Sequence, residues 1–591
     1  MGIKNIIMEL LYIWIDKFRN IDDKGYNFSN QYDVSYNKTN NELIVNDIQG
    51  ESAVSVTENR LELNSTTNYL AGFFPGNISN ITAIIGKNST GKSNVLDFLL
   101  TALHTGNRIK LTSDYFLLFK DDGELKFSGR IGRESIRNSE INCLEIKVGK
   151  TEPNSNWHTV FYSNVADNRN YIFEDKITFN YSFSEIQRSQ SNKLEYVSSN
   201  DFEQTWNRIT NNTENSQMIR FKLEPVVFNK VRNNNKDSII NGVYQRYYKA
   251  IFQESKSNSN RYKYTLTIAL FSYLVENEHI SKGGLTDIRL LNNGFAEEIA
   301  VLQPKIREVL SNIEIEDFNS NEVCFTSLEQ FKLFLDFIDA FDTTNYRLGE
   351  FKKDNQFIEV DFDNDFKSLI QPFISLFNLT DIIHHDWSGL SSGMKAYLNL
   401  YSQLFNTKET INQTISKSLL ICIDEGDLYM HPEWQRSFLN DLIKFINTNF
   451  DNKHIQILLT SHSPFLISDL PKENVLLLDK NGIVNRQLGE ESSFGANIHQ
   501  LFANQFFLAN KGTTGAFAKE KIIELSNRIS SIKTSELSEI EHLIEMIGEP
   551  ILRYRLQDKL KEYISENFAD EDKINWHKRQ IEKLESNDKT N

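Results

Sequence analysis

Eight residues constrain this chain more than any others. Positions 86–93 read GKNSTGKS and match G-x-x-x-x-G-K-[ST]. The flanks give the pattern its force. Residues 81–85 (ITAII) form a short β-branched apolar run, which predicts a buried strand entering the loop. Beyond it, Val95, Phe98, Leu99, Ala102 and Leu103 recur at i, i+3, i+4, i+7 and i+8, which predicts a helix with one apolar face. Gly86 and Gly91 permit a tight turn that points backbone N–H groups of the loop inward. A run such as Gly86, Lys87, Asn88, Ser89, Thr90, Gly91, Lys92, Ser93 and Asn94 can therefore wrap the phosphates of a nucleotide, with the positive end of the helix dipole behind them. In this arrangement Lys92 places a point charge on the β- and γ-phosphates, and the Ser93 hydroxyl ligates Mg²⁺.

Two further apolar runs end in chemistry-bearing residues. Residues 419–425 read LLICIDE, a buried strand that delivers Asp424 and Glu425 to its C-terminal end. Ligands bind at that edge of an open α/β sheet. Alone, a strand ending in two carboxylates is weak evidence. Beside a phosphate loop, Asp424 fits a Mg²⁺ partner and Glu425 a group that polarises the attacking water. Residues 455–464 read IQILLTSHSP, a second strand that ends in Thr460, Ser461 and His462. His462 is placed to hydrogen-bond a γ-phosphate. Ahead of both lies DWSGLSSGMK (386–395), which opens an amphipathic helix through Ala396, Leu398, Tyr401, Leu404 and Phe405. A Ser-Ser-Gly start offers hydroxyls and free amides to an anion.

The 591 residues suffice for more than one domain. A net charge of −16 argues against a surface built broadly for nucleic acid, although it does not exclude a local basic groove. Cys143, Cys324 and Cys422 are far apart and form no metal or disulfide pattern, which fits a reducing cytoplasm. The N-terminal MGIKNIIMELLYIWIDKFRN is interrupted by Glu9 and Asp16, so it reads as a buried strand rather than a signal peptide. No apolar run reaches the roughly 18 residues of a membrane helix, and a cytoplasmic protein without membrane partners is expected.

The patterns divide the chain into four parts. Residues 1–180 form a strand-rich N-terminal lobe with the phosphate loop. Residues 181–375 form a mainly helical insert, exemplified by Ser327–Phe341 and lacking a sustained heptad repeat. Residues 376–490 form a second lobe with strand–helix alternation, and residues 491–591 a helical C-terminal region.

The order of phosphate loop, insert, Ser-Gly helix, carboxylate strand and histidine strand resembles that of ABC-type ATPases of the SMC, RecF and OLD group, often called AAA-family in bacteria. DEGDLYMHPEWQ (Asp424–Gln435) resembles their Walker B stretch, TSHSPFLISDLP (Thr460–Pro471) their switch-histidine stretch and LSSGMK (Leu390–Lys395) their signature. The similarity covers residues 8–100 and 376–475. It implies an α/β ATPase head with a mixed sheet, ATP and Mg²⁺ as ligands, and a homodimer that sandwiches ATP head to tail. Lys92, Ser93, Asp424, Glu425 and His462 of one subunit would then face Ser391, Ser392 and Gly393 of the other, with Asp427–Pro432 near the seam. Within this pattern Glu425, His462 and Lys92 are catalytic, and Ser93 and Asp424 hold the metal. Met394 stands where Gln or Glu is usual, and Gly426 where Pro is usual. Ser163–Asn164 is the best candidate for the Q-loop position.

OLD-type relatives carry a C-terminal nuclease with a Glu and a DxD on strand ends. After residue 475 the DxD here is Asp570–Asp572, in a charged helical tail. The chain is therefore expected to lack its own nuclease and to resemble the ATPase of Septu-type anti-phage systems, which acts with a separate nuclease. The alternatives are a RecF-type repair ATPase, an OLD-type ATPase with its own nuclease and a scaffold with a structural ATP dimer. DNA remains a candidate ligand, but the basic stretches Lys230–Lys236 and Lys578–Arg579 are short. In the tail, Ile540, Leu543, Ile544 and Ile547 have the spacing of a helix stripe, for which packing within the chain is the ordinary use.

Overall fold

The computed structural model describes residues 8–39, 42–47, 54–57, 60–63, 72–86, 89–103, 111–121, 124–131, 144–145, 157–165, 178–181, 191–199, 202, 220–225, 263, 266–267, 270, 308, 328–340, 358–362, 364–378, 383–388, 390–414, 416–478, 484–485, 492–498, 501 and 514–588. They fall into two compact units, Met1–Leu501 and Phe502–Asn591.

Strand β1 (Met8–Phe18) realises the N-terminal apolar run and pairs antiparallel with β2 (Ile21–Asn27). It is buried on both faces. A register shift between Leu10 and Tyr12 lets Leu10, Ile13 and Ile15 face the main core, while Leu11, Tyr12 and Trp14 face the hairpin of β3 (Tyr32–Asn37) and β4 (Glu42–Asp47). Such double burial explains why the strand reads as a continuous apolar segment rather than an alternating one. Strands β5 (Val54–Thr57) and β6 (Arg60–Leu63) form a further hairpin. Next come β7 (Ile78–Gly86) and helix α1 (Lys92–Leu103), the strand and helix expected around the phosphate loop. After α1, β8 (Tyr115–Asp121), β9 (Glu124–Gly129) and β10 (Leu144–Glu145) complete an outer sheet in the order β2-β1-β8-β9-β6-β5, with β10 beside β9.

A central sheet completes the first unit. Its strands run β12 (Thr178–Tyr181), β11 (Trp157–Ser163), β16 (Ser418–Asp424), β17 (His454–Ser461), β7, β18 (Val475–Leu478) and β19 (Val484–Asn485). All neighbours are parallel except β18 and β19. Buried on both faces, β16 and β17 are near-continuous runs of Leu and Ile, as parallel strands must be. Helix α1 contributes Val95, Leu96, Phe98 and Leu99 to a core shared with Leu10, Ile13 and Ile15 of β1 and Leu420, Cys422 and Leu458 of the central sheet. The Gln456 amide ties the two sheets together: it donates to Leu10 O at 2.8 Å and accepts from Leu10 N at 2.9 Å.

The insert carries helices α2 (Ser191–Val197), α3 (Leu328–Ala340) and α4 (Asn364–Ile370), with a 3-10 stretch at Gln371–Asn378. It also carries strands that the helical patterns concealed. Strand β13 (Arg220–Pro225) pairs antiparallel with β14 (Ile358–Asp361) and with β15 (Ile383–Ser388). Helix α5 (Ser392–Gln413) therefore starts at Ser392, and Asp386 to Ser388 belong to the strand before it. Helices α6 (Pro432–Asn449) and α7 (Pro464–Ser468) follow β16 and β17.

The second unit is helical: α8 (Ala516–Ile529), α9 (Leu537–Glu545), α10 (Pro550–Asn567) and α11 (Asp570–Asp588). Its own core gathers Leu525, Ile529, Ile540, Ile544, Ile547, Leu556, Leu560, Ile564 and Trp576, with Leu543 packed against it. The apolar stripe of α9 is thus used within the unit. Asp570 and Asp572 lie in the first turn of α11, where acidic side chains favour the helix dipole. Among the described residues no helix is long and apolar enough to cross a membrane.

Candidate active site

Register decides the site. In the central sheet Ser163 of β11 pairs with Asp424 of β16, Asp424 with Thr460 of β17, and Thr460 with Ile84 of β7. The C-terminal ends of four neighbouring parallel strands therefore stop in one row, and the loop after Gly86 opens beside them. Three hydroxyls converge on Asp424, which is fully buried: Thr460 Oγ1 donates at 2.6 Å, Ser93 Oγ at 2.9 Å and Ser163 Oγ at 3.3 Å. The next residue leaves the strand with φ 51°, a left-handed conformation that side chains rarely adopt. The Glu425 amide holds this turn by donating to Thr460 O at 3.1 Å and Thr460 Oγ1 at 3.0 Å.

Lys92 is 5% exposed at the start of α1. Its ammonium donates to Gly86 O at 3.2 Å and lies 2.8 Å from His462 Nε2. Burial holds its pKa below the ordinary lysine value, while the Glu425 and Asp424 carboxylates pull it upward. His462 Nε2 also lies 3.3 Å from Glu425 Oε1. A lysine only donates and a carboxylate only accepts, so this one nitrogen serves Lys92 when it is unprotonated and Glu425 when it carries a proton. Lys92, His462 and the Glu425 carboxylate are thus joined through a single ring atom.

The loop glycines have specific reasons. A Cβ at Gly86 would meet Thr90 Oγ1 at 2.6 Å and Leu478 O at 2.7 Å. Gly91 has φ 97°, and Ser89 in the same loop has φ 65°. Lys87 and Asn88 lie outside the described residues. The Asn94 side chain is engaged by the β1–β2 turn. It donates to Asn20 Oδ1 at 2.6 Å and accepts from Arg19 NH1 at 2.7 Å, while Arg19 also pairs with buried Asp97. The β1–β2 turn thus clasps the first turn of α1, a contact for which the sequence carries no local signal. Asn94 can offer its backbone N–H to a phosphate, whereas its side chain serves this clasp.

The Ser163–Asn164 pair sits at the same edge: Asn164 N donates to Asp424 O at 3.4 Å and Asn164 Nδ2 to Leu428 O at 3.4 Å. Beyond Glu425 the chain has no room for the usual proline-sized side chain. A Cβ at Gly426 would lie 2.4 Å from Ile423 Cγ2. Buried Asp427 accepts from Ser461 Oγ at 2.6 Å. Burial raises its pKa, and the Ser461 hydrogen bond opposes the rise. Thr460 and Ser461 read in the sequence only as a strand end. In the fold they fix the carboxylates, because parallel strands put the ends of neighbours side by side.

Ser391, Ser392 and Gly393 stand at the start of α5. Ser391 caps α5, accepting from Met394 N at 3.3 Å, and both serines are exposed. Gly393 is buried where a Cβ would come within 2.8 Å of Tyr429 O. Tyr429 itself is 56% exposed and has φ 70°.

The donor set fits a nucleotide with magnesium. A serine hydroxyl and a carboxylate 2.9 Å apart are hard oxygen ligands, and Mg²⁺ completes such a shell with phosphate oxygens and water. Residues 76–467, well over half of the chain, match the AAA ATPase domain family. The chain belongs to that family. The ATPase domain so defined spans the phosphate loop, the insert, helix α5 and both carboxylate and histidine strands. Among similar proteins are the Retron Ec83 probable ATPase of Escherichia coli, 28% identical over 193 residues, which cover 31% of this chain and 29% of that protein. Another is the Retron Vc95 probable ATPase of Vibrio cholerae serotype O1 biovar El Tor, 27% identical over 119 residues, which cover 19% of this chain and 22% of that protein. The matched stretch is thus less than a third of either relative's length.

Proposed function

We propose that the chain hydrolyses ATP to ADP and phosphate as a head-to-tail homodimer, and that it is the sensing or regulating subunit of a cytoplasmic anti-phage system of the Septu kind. The observation that carries the catalytic reading is the meeting of Lys92, Ser93, Asp424, Glu425 and His462 at one sheet edge. The loop amides and Lys92 hold the β- and γ-phosphates of the substrate. Ser93 and Asp424 hold Mg²⁺, which when bound neutralises charge on the transferring phosphoryl group. Glu425 orients a water and takes its proton as the water oxygen bonds to the γ-phosphorus and the bond to the β-phosphate oxygen breaks. In the form that carries a proton on Nε2, His462 donates to the γ-phosphate. Ser391, Ser392 and Gly393 of a second subunit close the site from the far side, a reading supported by the exposure of Ser391 and Ser392.

Relatives named as retron ATPases support a component that works within a larger system. The helical second unit, with Asp570 and Asp572 in a helix turn, supports an output carried by a separate nuclease. The test uses the purified full chain. ATP turnover is expected, and Lys92→Ala should abolish it. DNA should stay uncut in Mg²⁺ or Mn²⁺, and the product of an adjacent gene should co-purify. Turnover retained in Lys92→Ala would remove the site from consideration. Metal-dependent DNA cleavage lost in an Asp570→Ala, Asp572→Ala variant would instead restore a nuclease of the chain's own.

A further inference from the structure

The signature helix begins among charges that the catalytic reading does not use. Lys395, in the first turn of α5, donates to both carboxylate oxygens of Asp386 at 2.8 and 3.0 Å. Asp386 lies on β15 and so belongs to the small sheet built with β13 and β14. A third member comes from α2. Lys193 is 9% exposed and lies within electrostatic reach of both Asp386 and Lys395. Helix α2 packs on α5, with Tyr196 against Phe405 at 5.4 Å. Helix α2 of the insert and strand β15 just after it therefore both bring charge to the start of α5, the one a buried cation and the other the anion.

The balance of charge there is delicate. A lysine in the first turn opposes the helix dipole, and a second, buried lysine adds to the repulsion. Burial draws Lys193 down to about 8. Burial also pushes Asp386 upward, but the two lysines and its hydrogen bonds to Lys395 and the Trp387 amide outweigh that and hold it below the ordinary value. Asp386 supplies the carboxylate of this trio, and removing it takes the anion away from the Lys395 ammonium and the N-terminus of α5.

We propose that Asp386, with Lys395 and Lys193, is a positioning group that sets the signature helix for the partner's nucleotide, and so couples the insert to the trans half of the site. The proposal rests on the head-to-tail reading above. It assigns these residues no contact with nucleotide in their own subunit.

The test separates cis from trans effects in the full-length protein. Asp386→Asn should leave binding of a fluorescent ATP analogue unchanged and lower turnover about fivefold, the scale of a well-formed surface ion pair with added repulsion. Asp386→Glu should keep wild-type turnover. Adding Lys193→Met to Asp386→Asn should recover part of the loss, because the buried cation that Asp386 offsets is gone. Mixing Asp386→Asn subunits with an excess of inactive Lys92→Ala subunits should raise turnover per Asp386→Asn subunit, since each intact loop then meets an intact signature. A control pair, Ser392→Asp with Lys92→Ala, reports on the head-to-tail arrangement itself. If that control fails to complement, the dimer reading falls and the proposal with it. If the control complements but Asp386→Asn gains nothing from mixing, or loses nucleotide affinity instead of turnover, the proposal alone is overturned.

Discussion

Lys92 at 5% exposure and the fully buried Asp424 sit inside a net of hydrogen bonds, while Ser391 and Ser392 stand exposed at the start of α5. Both regions are short Ser- and Gly-containing segments at helix N-termini, and both can bind an anion through free amides. The phosphate loop, however, has partners in its own subunit: Ser93 meets Asp424, and Lys92 meets His462. The start of α5 packs Gly393 against Tyr429 and leaves Ser391 and Ser392 exposed. The fold closes the first region on itself and leaves the serines of the second exposed.

Three experiments press on this difference. The largest effect is expected within the closed region. Glu425→Gln keeps shape and the strained turn but cannot take a proton, so turnover should fall by about 10²-fold or more, with ATP still bound. Steady-state hydrolysis at wild-type rate would place the base elsewhere. A smaller and qualitatively different effect is expected in the exposed region. Asp at position 392 favours the helix N-terminus, so Ser392→Asp should fold normally and bind ATP in its own loop. Its carboxylate would oppose the γ-phosphate of a partner, and ATP-driven association should be lost. Sedimentation with ATP reads this directly: an ATP-dependent dimer of Ser392→Asp would show that the signature does not face nucleotide.

The smallest effect lies just past the histidine, at the C-cap of α7. Burial raises the Asp469 pKa to about 6, against the pull of Arg436. An unfolded aspartate titrates near about 3.9, so the native chain binds the extra proton and its stability falls as pH rises through roughly 4 to 6. Asp469→Asn should therefore raise Tm at pH 7, by well under what full burial would give because the group is partly exposed. The gain should vanish below about pH 4. A gain that persists in acid would point to packing rather than charge. Turnover unchanged by this variant would mark the edge of the closed region.

Much of the catalytic edge was legible before any coordinates. GKNSTGKS carried its strand and helix, and LLICIDE and IQILLTSHSP named two strands whose ends the sheet sets side by side. Local periodicity encodes such elements because each must bury an apolar face. The clasp of Arg19 and Asn20 on Asn94 was not legible, nor were the roles of Thr460 and Ser461 around the carboxylates. The insert strands β13 and β14 were hidden as well, since a short strand in a three-stranded sheet has no helix-length pattern to announce it.

The sequence by itself determined which residues could hold phosphate, metal and water, because those demands fix residue type at fixed local spacing. Tertiary structure decided which of them meet. Asp424 reaches Ser93 across 331 positions, and Lys92 reaches His462 across 370. Only the order and register of parallel strands bring them to one edge, and strand order is a property of how apolar faces share a core, which no single segment records.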